Sequence, residues 1–408
     1  MDVLLNCCAG LDVHQKEIVA CVLKGEKKVR KQIRNFGTTT KELLALSDWL
    51  QESQCTHVAM ESTGVYWKPV WNILEGSVTL ILANAKRIKN VPGKKTDMSD
   101  AQWIARLLRN GLIESSFVPP EAIRNLRDLT RYRRKLLQMA TEQKNRIHNV
   151  LQDANIKLTS YMSDVFGVSG RALLEAIMNG ESLTREQVHS RVKTQLRVKV
   201  PQLLDALNGK IRRHHRQMIR RQYDLLLDLE KHSEELEQEI DQYMQNYQEE
   251  VSLLKTIPGI NQGAAAVILA EIGTDMTQFP SDAHLSSWGG LSPGNNESAG
   301  KKRSSKTTKG NKGLKSILRQ AAWGAVRSKN TRLSAYYYRL VKRRGPKKAI
   351  MALAHLVLKI TYHVLKEKQP YKELGPDYLP KRKQSAKYHQ RQLEKLLGYE
   401  IEIHEKTA

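Results

Sequence analysis

The chain has 408 residues, with 67 lysines and arginines against 42 aspartates and glutamates, a formal net charge of +25. That length exceeds one compact core and implies two or three domains, and so large a basic excess points to an anionic polymer, nucleic acid foremost, as partner. A membrane protein is disfavoured on this reading, because no apolar run approaches the roughly 20 residues of a spanning helix and no basic-then-apolar leader opens the chain.

The four cysteines (Cys7, Cys8, Cys21 and Cys55) fall in strand-like segments without metal-type spacing and read as reduced core thiols of a cytoplasmic protein. Cys7 and Cys8 are adjacent on a strand and so point to opposite faces. The strand, Cys7–Val13, is apolar but for Asp12 near its end. A carboxylate there is costly unless it is paired or holds a metal. Residues 17–24 and 29–35 alternate as two further strands around a turn at Lys24-Gly25-Glu26-Lys27. A helix over 41–51, a strand over 57–60 that runs into Glu61, a helix from about Tyr66 and an apolar strand over 78–83 follow. Strands alternating with helices imply an α/β layer with a mixed sheet.

Asp97 and Asp100 open a further helix that runs to about Asn110, with Gly111 as its stop. Three apart at a helix start, they share a face. Taken alone, Asp97 reads as an N-cap and Asp100 as a partner of the helix dipole. Together with Asp12 and Glu61 they read differently. Four converging carboxylates cannot all stay ionised without a cation, whereas with Mg²⁺ they form an oxygen-rich site for phosphodiester chemistry. This predicts an RNase-H-like nuclease core. An actin-like or sugar-kinase ATPase shares that topology, but only Glu61-Ser62-Thr63-Gly64 faintly matches its phosphate loops.

After Pro119-Pro120, residues 121–154 read as one long helix whose outer face carries Arg124, Arg127, Arg131, Arg133, Arg134, Lys135, Lys144 and Arg146, predicted to lie along a phosphate backbone. Short helices follow at 171–178 and 185–192. A second long helix starts at Gly209, with Arg212, Arg213, His214 and His215 on a basic face, the histidines reading as part of that face and not as metal ligands. Leu226, Leu229, Ser233, Leu236, Ile240, Tyr243 and Tyr247 step by three and four. That coiled-coil seam predicts either oligomerisation or an intramolecular hairpin against 121–154. Residues 254–261 resemble a helix-hairpin-helix whose Pro-Gly turn offers backbone N–H groups to phosphate. The stretch 288–313 is glycine-rich and aperiodic, and holds Lys301, Lys302, Arg303, Lys309 and Lys312. It reads as a phosphate-gripping basic loop in which no serine stands out.

The motifs Gly10-Leu11-Asp12-Val13-His14, Met60-Glu61-Ser62-Thr63-Gly64 and Lys95-Thr96-Asp97-Met98-Ser99-Asp100-Ala101 resemble the DEDD motif of insertion-sequence transposases of the IS-one-ten family. Ile257-Pro258-Gly259-Ile260, Trp288-Gly289-Gly290-Leu291, Asn296-Glu297-Ser298-Ala299-Gly300-Lys301 and Lys309-Gly310-Asn311 resemble its second, transposase domain, with Ser-Ala-Gly where many relatives have Ser-Gly-Gly. The resemblance implies a RuvC-like domain over 1–155 and a mostly helical transposase domain over 251–368; the helical linker and coiled coil over 156–250 and the basic extension over 369–408, an RNA-binding segment or a charged terminal helix, lie outside it. It implies Mg²⁺ held by Asp12, Glu61, Asp97 and Asp100, and a nucleophilic Ser298 that forms a covalent phosphoserine. It also implies donor and target DNA as substrates, an element-encoded bridge RNA as guide, a tetramer built as a dimer of dimers, and a place in the prokaryotic cytoplasm beside the nucleoid. The alternatives are a RuvC-like nuclease or junction resolvase using activated water, and a non-catalytic nucleic-acid-binding protein.

Overall fold

The computed structural model describes residues 4–85 except 27 and 63, residues 88, 91, 98–294 and 307–378, the backbone of 296–298 and 301–304, and residues 394, 396 and 398. The chain divides into two compact units, residues 1–119 and 120–408.

The first unit is a five-stranded mixed sheet. β1 (Cys7–Val13), β2 (Glu17–Lys24) and β3 (Arg30–Gly37) form the expected antiparallel meander, and β4 (His57–Glu61) and β5 (Thr79–Ala83) extend it in parallel, giving the order β3-β2-β1-β4-β5. Helices α1 (Thr40–Glu52) and α2 (Trp67–Leu74) cover one face, with Leu43, Leu46, Leu50, Val70 and Leu74 packed on Ala9, Leu11, Val58 and Met60. Helix α3 (Asp100–Arg109) covers the other, setting Ala101, Ile104, Ala105 and Leu108 against Cys8, Cys21 and Ala59. Strand alternation thus sends Cys7 and Cys8 into opposite cores, as the sequence predicts. All four cysteines are free and buried, and burial pushes the Cys8 thiol up to about 12 and Cys21 to about 11, so these are inert packing groups.

The second unit opens with α4 (Glu121–Asp153). Short helices α5 (Val168–Asn179), α6 (Arg185–Arg191) and α7 (Val200–Leu207) follow, and then α8 (Arg213–Met244) returns along α4. Lys144 reaches Glu230 at 3.0 Å and Arg133 reaches Glu237 at 2.7 Å, so numbering falls along one helix as it rises along the other and the pair is antiparallel. The heptad seam therefore lies against α4 of the same chain: Ile219, Tyr223, Leu226 and Leu229 share a core with Leu136, Ala140, Ile147 and Leu151. Ser233 is buried on that seam.

The rest of the unit is α9 (Gln248–Lys255), α10 (Gln262–Ile272), α11 (Asp282–Trp288), α12 (Lys312–Arg327), α13 (Arg332–Arg344) and α14 (Pro346–Glu367). α14 corrects one expectation, since it is long and apolar enough to cross a membrane by composition. Ala349, Leu353, Ala354, Val357 and Leu358 are nevertheless wholly buried, which makes it the central core helix. Helices α9 and α10 flank the Pro-Gly turn as predicted, but Ile257 and Ile260 are buried and the Gly259 backbone lies against Gly324 of α12. Packing, and not an open N–H cradle, is what that turn supplies. The stretch expected to be an aperiodic loop is a β-hairpin: β6 (Asn296–Ser298) pairs antiparallel with β7 (Lys301–Ser304), and Pro293 bridges Thr307 below them. At its base Gly290 and Gly310 touch backbone to backbone, where any side chain would collide.

Candidate metal and nucleic-acid sites

In the first unit, the parallel register pairs Leu11 with Met60, which brings Asp12 and Glu61 side by side at the carboxyl ends of β1 and β4. Alternation puts Asp12 on the face of Gly10 and Glu61 on the face of Ala59, the face that α3 covers. Gly10 sets how close α3 comes, because a Cβ there would strike the main chain of Ala101 and Ala105. The crossing carries Asp100, the first residue of α3, to the same end of the sheet.

The electrostatics follow from that placement. Burial pushes the Asp12 carboxyl above the ordinary aspartate value; nearby His14 opposes this, and the charges of Asp100 and Glu61 add to it. His14 Nε2 lies 3.2 Å from Asp12 Oδ2, and the Asp12 side chain is 24 % exposed, so the group is reachable from solvent. Three carboxylates at one end of the sheet, with Asp12 disfavoured in its ionised form, could supply the oxygen donors that a hard divalent cation takes. Asp97 lies outside the described residues. The N-cap of α3 is Ser99, whose hydroxyl accepts from the Gln102 N–H at 3.3 Å. The helix thus starts at Asp100, and the expectation that Asp97 shares its face falls outside the described residues.

In the second unit, Ser298 is the last residue of β6 and pairs in register with Lys301. The hairpin's returning strand leads through exposed Lys309 to Asn311, whose side chain caps α12 by accepting from the Leu314 N–H at 3.0 Å. Asn311 Nδ2 also donates to Glu271 Oε2 at 2.5 Å. Glu271 is 1 % exposed and takes both arms of Arg131, Nε to Oε1 at 2.9 Å and Nη2 to Oε2 at 2.8 Å. Arg127 donates to the carbonyls of Ala270 and Glu271, and burial pushes it down to about 10 despite the Glu271 charge. A buried carboxylate thus ties α4, α10 and the start of α12 to the base of the Ser298 hairpin.

That network also redistributes the basic face expected on α4. Arg131 is committed to Glu271, Arg133 to Glu237 and Lys144 to Glu230. Arg134 lines a cavity of about 110 Å³ beside Glu271 and Gly313, while Lys135, Arg212, Arg213 and Lys312 are exposed. Lys301, Lys302 and Arg303 form the backbone of β7.

Among the described residues, the second unit holds one trio of metal-type groups: Asp153, His214 and His215, with ligand atoms within 4.8 Å of one another. His215 Nδ1 accepts from the Arg212 N–H at 3.2 Å, so its proton sits on Nε2 and is donated to Asp153 Oδ2 at 2.8 Å. With both ring nitrogens used, His215 is a helix-start anchor; being buried, it leaves the expected basic face, on which His214 stays exposed.

Glu271 could not be singled out from the sequence, where it is one acid near the end of an apolar helix. The exposed aromatics Trp323 and Tyr338 had a signal: no acid occurs between Glu297 and Glu367.

Two family models match the chain. A DEDD model of IS110 type, described as Transposase, covers residues 9–156, and a second, Transposase IS116/IS110/IS902 family, covers residues 251–338. Among curated proteins none matches.

Proposed function

This chain belongs to the IS110 family of insertion-sequence transposases, and from that premise we propose that it cuts and rejoins DNA through a covalent phosphoserine formed at Ser298, with Mg²⁺ held by Asp12, Glu61, Asp97 and Asp100. The observation that supports the proposal is the strand register that sets Asp12 and Glu61 side by side at the carboxyl ends of β1 and β4, with Asp100 opening the helix seated over them. Asp12 and Glu61 are fixed by paired strands and Asp100 by a helix seated on Gly10, so the acids are pre-organised. His14 orients the Asp12 carboxylate.

In the proposed reaction Ser298 Oγ forms a bond to the phosphorus of a DNA phosphodiester. The P–O bond to the departing strand breaks, and that strand's oxygen leaves as a hydroxyl carrying a proton. Reversal with a different strand hydroxyl rejoins the DNA and frees the serine. A serine hydroxyl is a weak nucleophile near neutral pH and needs help. Bound magnesium supplies Lewis-acid stabilisation of charge on the phosphoryl oxygens. On the same reading residues 251–368 form the transposase domain, a bridge RNA pairs with donor and target DNA, and four copies assemble as a dimer of dimers in which Ser298 of one subunit serves the acids of another.

Ser298→Ala should abolish strand cleavage and any covalent protein–DNA adduct on denaturing gels while DNA binding persists. Asp12→Ala should stop cleavage with binding retained. A wild-type enzyme that cleaves with Mg²⁺ but leaves no adduct would replace the serine mechanism with water-based hydrolysis.

A further inference from the structure

From Ser298 to Lys366 the chain has 19 lysines and arginines and no aspartate or glutamate. A solvated protein face needs no such exclusion of one sign. The structure gathers part of this charge around aromatic rings. On α12, Arg319, Trp323 and Arg327 follow at four-residue intervals, share one face and are all exposed. On α13, which packs against α12, Tyr338 and Lys342 are likewise four apart and exposed. Buried Tyr337 joins the two, its ring 5.6 Å from that of Trp323 and 5.4 Å from that of Tyr338. Trp323 is 42 % exposed and Tyr338 56 %.

Scattered surface aromatics are ordinary. These two are held by a third ring fixed in the core, so their orientation is set before anything binds, and cations flank them. We propose that the Trp323–Tyr338 surface is a stacking platform for unpaired nucleotides: bases lie on the two rings while Arg319, Arg327 and Lys342 take the phosphates. Stacking on aromatic rings with cations along the backbone is how single strands are held without sequence preference. A polyanion is favoured over a second copy of this chain, because the same face brought against itself would meet its own positive charge. The inference deepens the transposase reading and rests on it for a source of unpaired strand, whether guide RNA or opened DNA.

The test uses the full-length protein with labelled single strands of about 15 nucleotides, one RNA and one DNA, and a duplex of the same sequence. Trp323→Ala and Tyr338→Ala should each weaken single-strand binding by about 5- to 150-fold and duplex binding by less than about threefold. Trp323→Phe, which keeps a ring, should bind nearly as wild type yet lose the tryptophan fluorescence quenching that a stacked base causes. A larger loss on RNA assigns the platform to the guide, a larger loss on DNA to the opened substrate. Unchanged single-strand binding in both alanine variants overturns the proposal. So does equal weakening of duplex and single strand, or a change of oligomeric state at constant affinity. Failure of the phosphoserine reading shows separately, as a missing adduct in the wild type whatever residue stands at position 323.

Discussion

Glu271→Gln changes one atom type and almost no volume, yet it should be among the most damaging single substitutions in the second unit. The carboxylate is 1 % exposed and receives Arg131 Nε, Arg131 Nη2 and Asn311 Nδ2, with Arg127 Nε at 3.6 Å. A glutamine turns one of those acceptors into a donor facing donors, and removes the Glu271 charge beside the 14 % exposed Arg127. Breaking one partner of a buried pair costs about 3–5 kcal/mol. Arg131 is 46 % exposed and water screens it, which favours the lower end, about 3 kcal/mol. At about 2–4 °C per kcal/mol for a unit of this size, calorimetry should show a fall of roughly 6–12 °C in the transition of residues 120–408. A double-mutant cycle with Asn311→Ala should give a coupling of at least about 0.5 kcal/mol, since the two side chains are bonded. Because Asn311 anchors the start of α12 on the chain returning from the Ser298 hairpin, adduct formation should fall more than DNA binding. A loss below about 2 °C together with zero coupling would refute the argument, as Glu271 would then be exchanging its partners for water.

Gly10→Ala should separate the acids, because the new Cβ meets the main chain of Ala101 and Ala105 and forces α3 outward; isothermal titration should show weaker divalent-metal binding, with a stability loss of about 1–3 kcal/mol. Burial alone would raise the Glu230 carboxyl, but hydrogen bonds from Arg171 and Lys144 outweigh it and hold the group below its usual 4.5. Its folded value being depressed, its contribution is complete above pH 4.5 and is lost as pH falls through the folded value, so wild type should lose stability below that pH. Glu230→Gln should be less stable at pH 7, by about 1.5–3 kcal/mol, and should show a flatter decline on acidification in denaturant titrations.

The sheet was legible because alternation and apolar runs are local signals. Strands 7–13 and 17–24 fall on their predicted residues, and Asp12 and Glu61 stand at strand ends as expected, because an acid ending an apolar strand is conspicuous in sequence. Asp100 was legible too, but the start of α3 was not, because Ser99 and Asp97 are both good caps and only geometry chooses between them. The hairpin around Ser298 escaped because its strands are short and polar, and its closure depends on contacts between residues far apart in sequence, such as Ser292 with Thr308. Pattern could not decide between an intermolecular and an intramolecular seam, since a heptad stripe specifies a partner helix and not the chain that supplies it.

Pairing, more than composition, decides where this chain can meet a polyanion. The net charge of +25 suggested α4 as the phosphate-facing helix, yet three of the cations named there are matched by Glu271, Glu237 and Glu230 of the same unit. A cation already bonded to a carboxylate neutralises no phosphate and releases no counterion. Among the described residues, no ion pair engages Arg319, Arg327, Arg339, Lys342, Arg343 or Arg344, and the segment that holds them has no acid of its own. Beside the exposed Lys135, Arg212 and Arg213 elsewhere in the unit, unpaired positive charge is therefore dense on α12 and α13, on the residues that follow the Ser298 hairpin in the chain. If phosphate contacts concentrate there, substitutions in this set should lower the salt dependence of binding by about one unit of log–log slope per residue. Changes at Arg131 or Arg133 should alter stability and leave that slope alone.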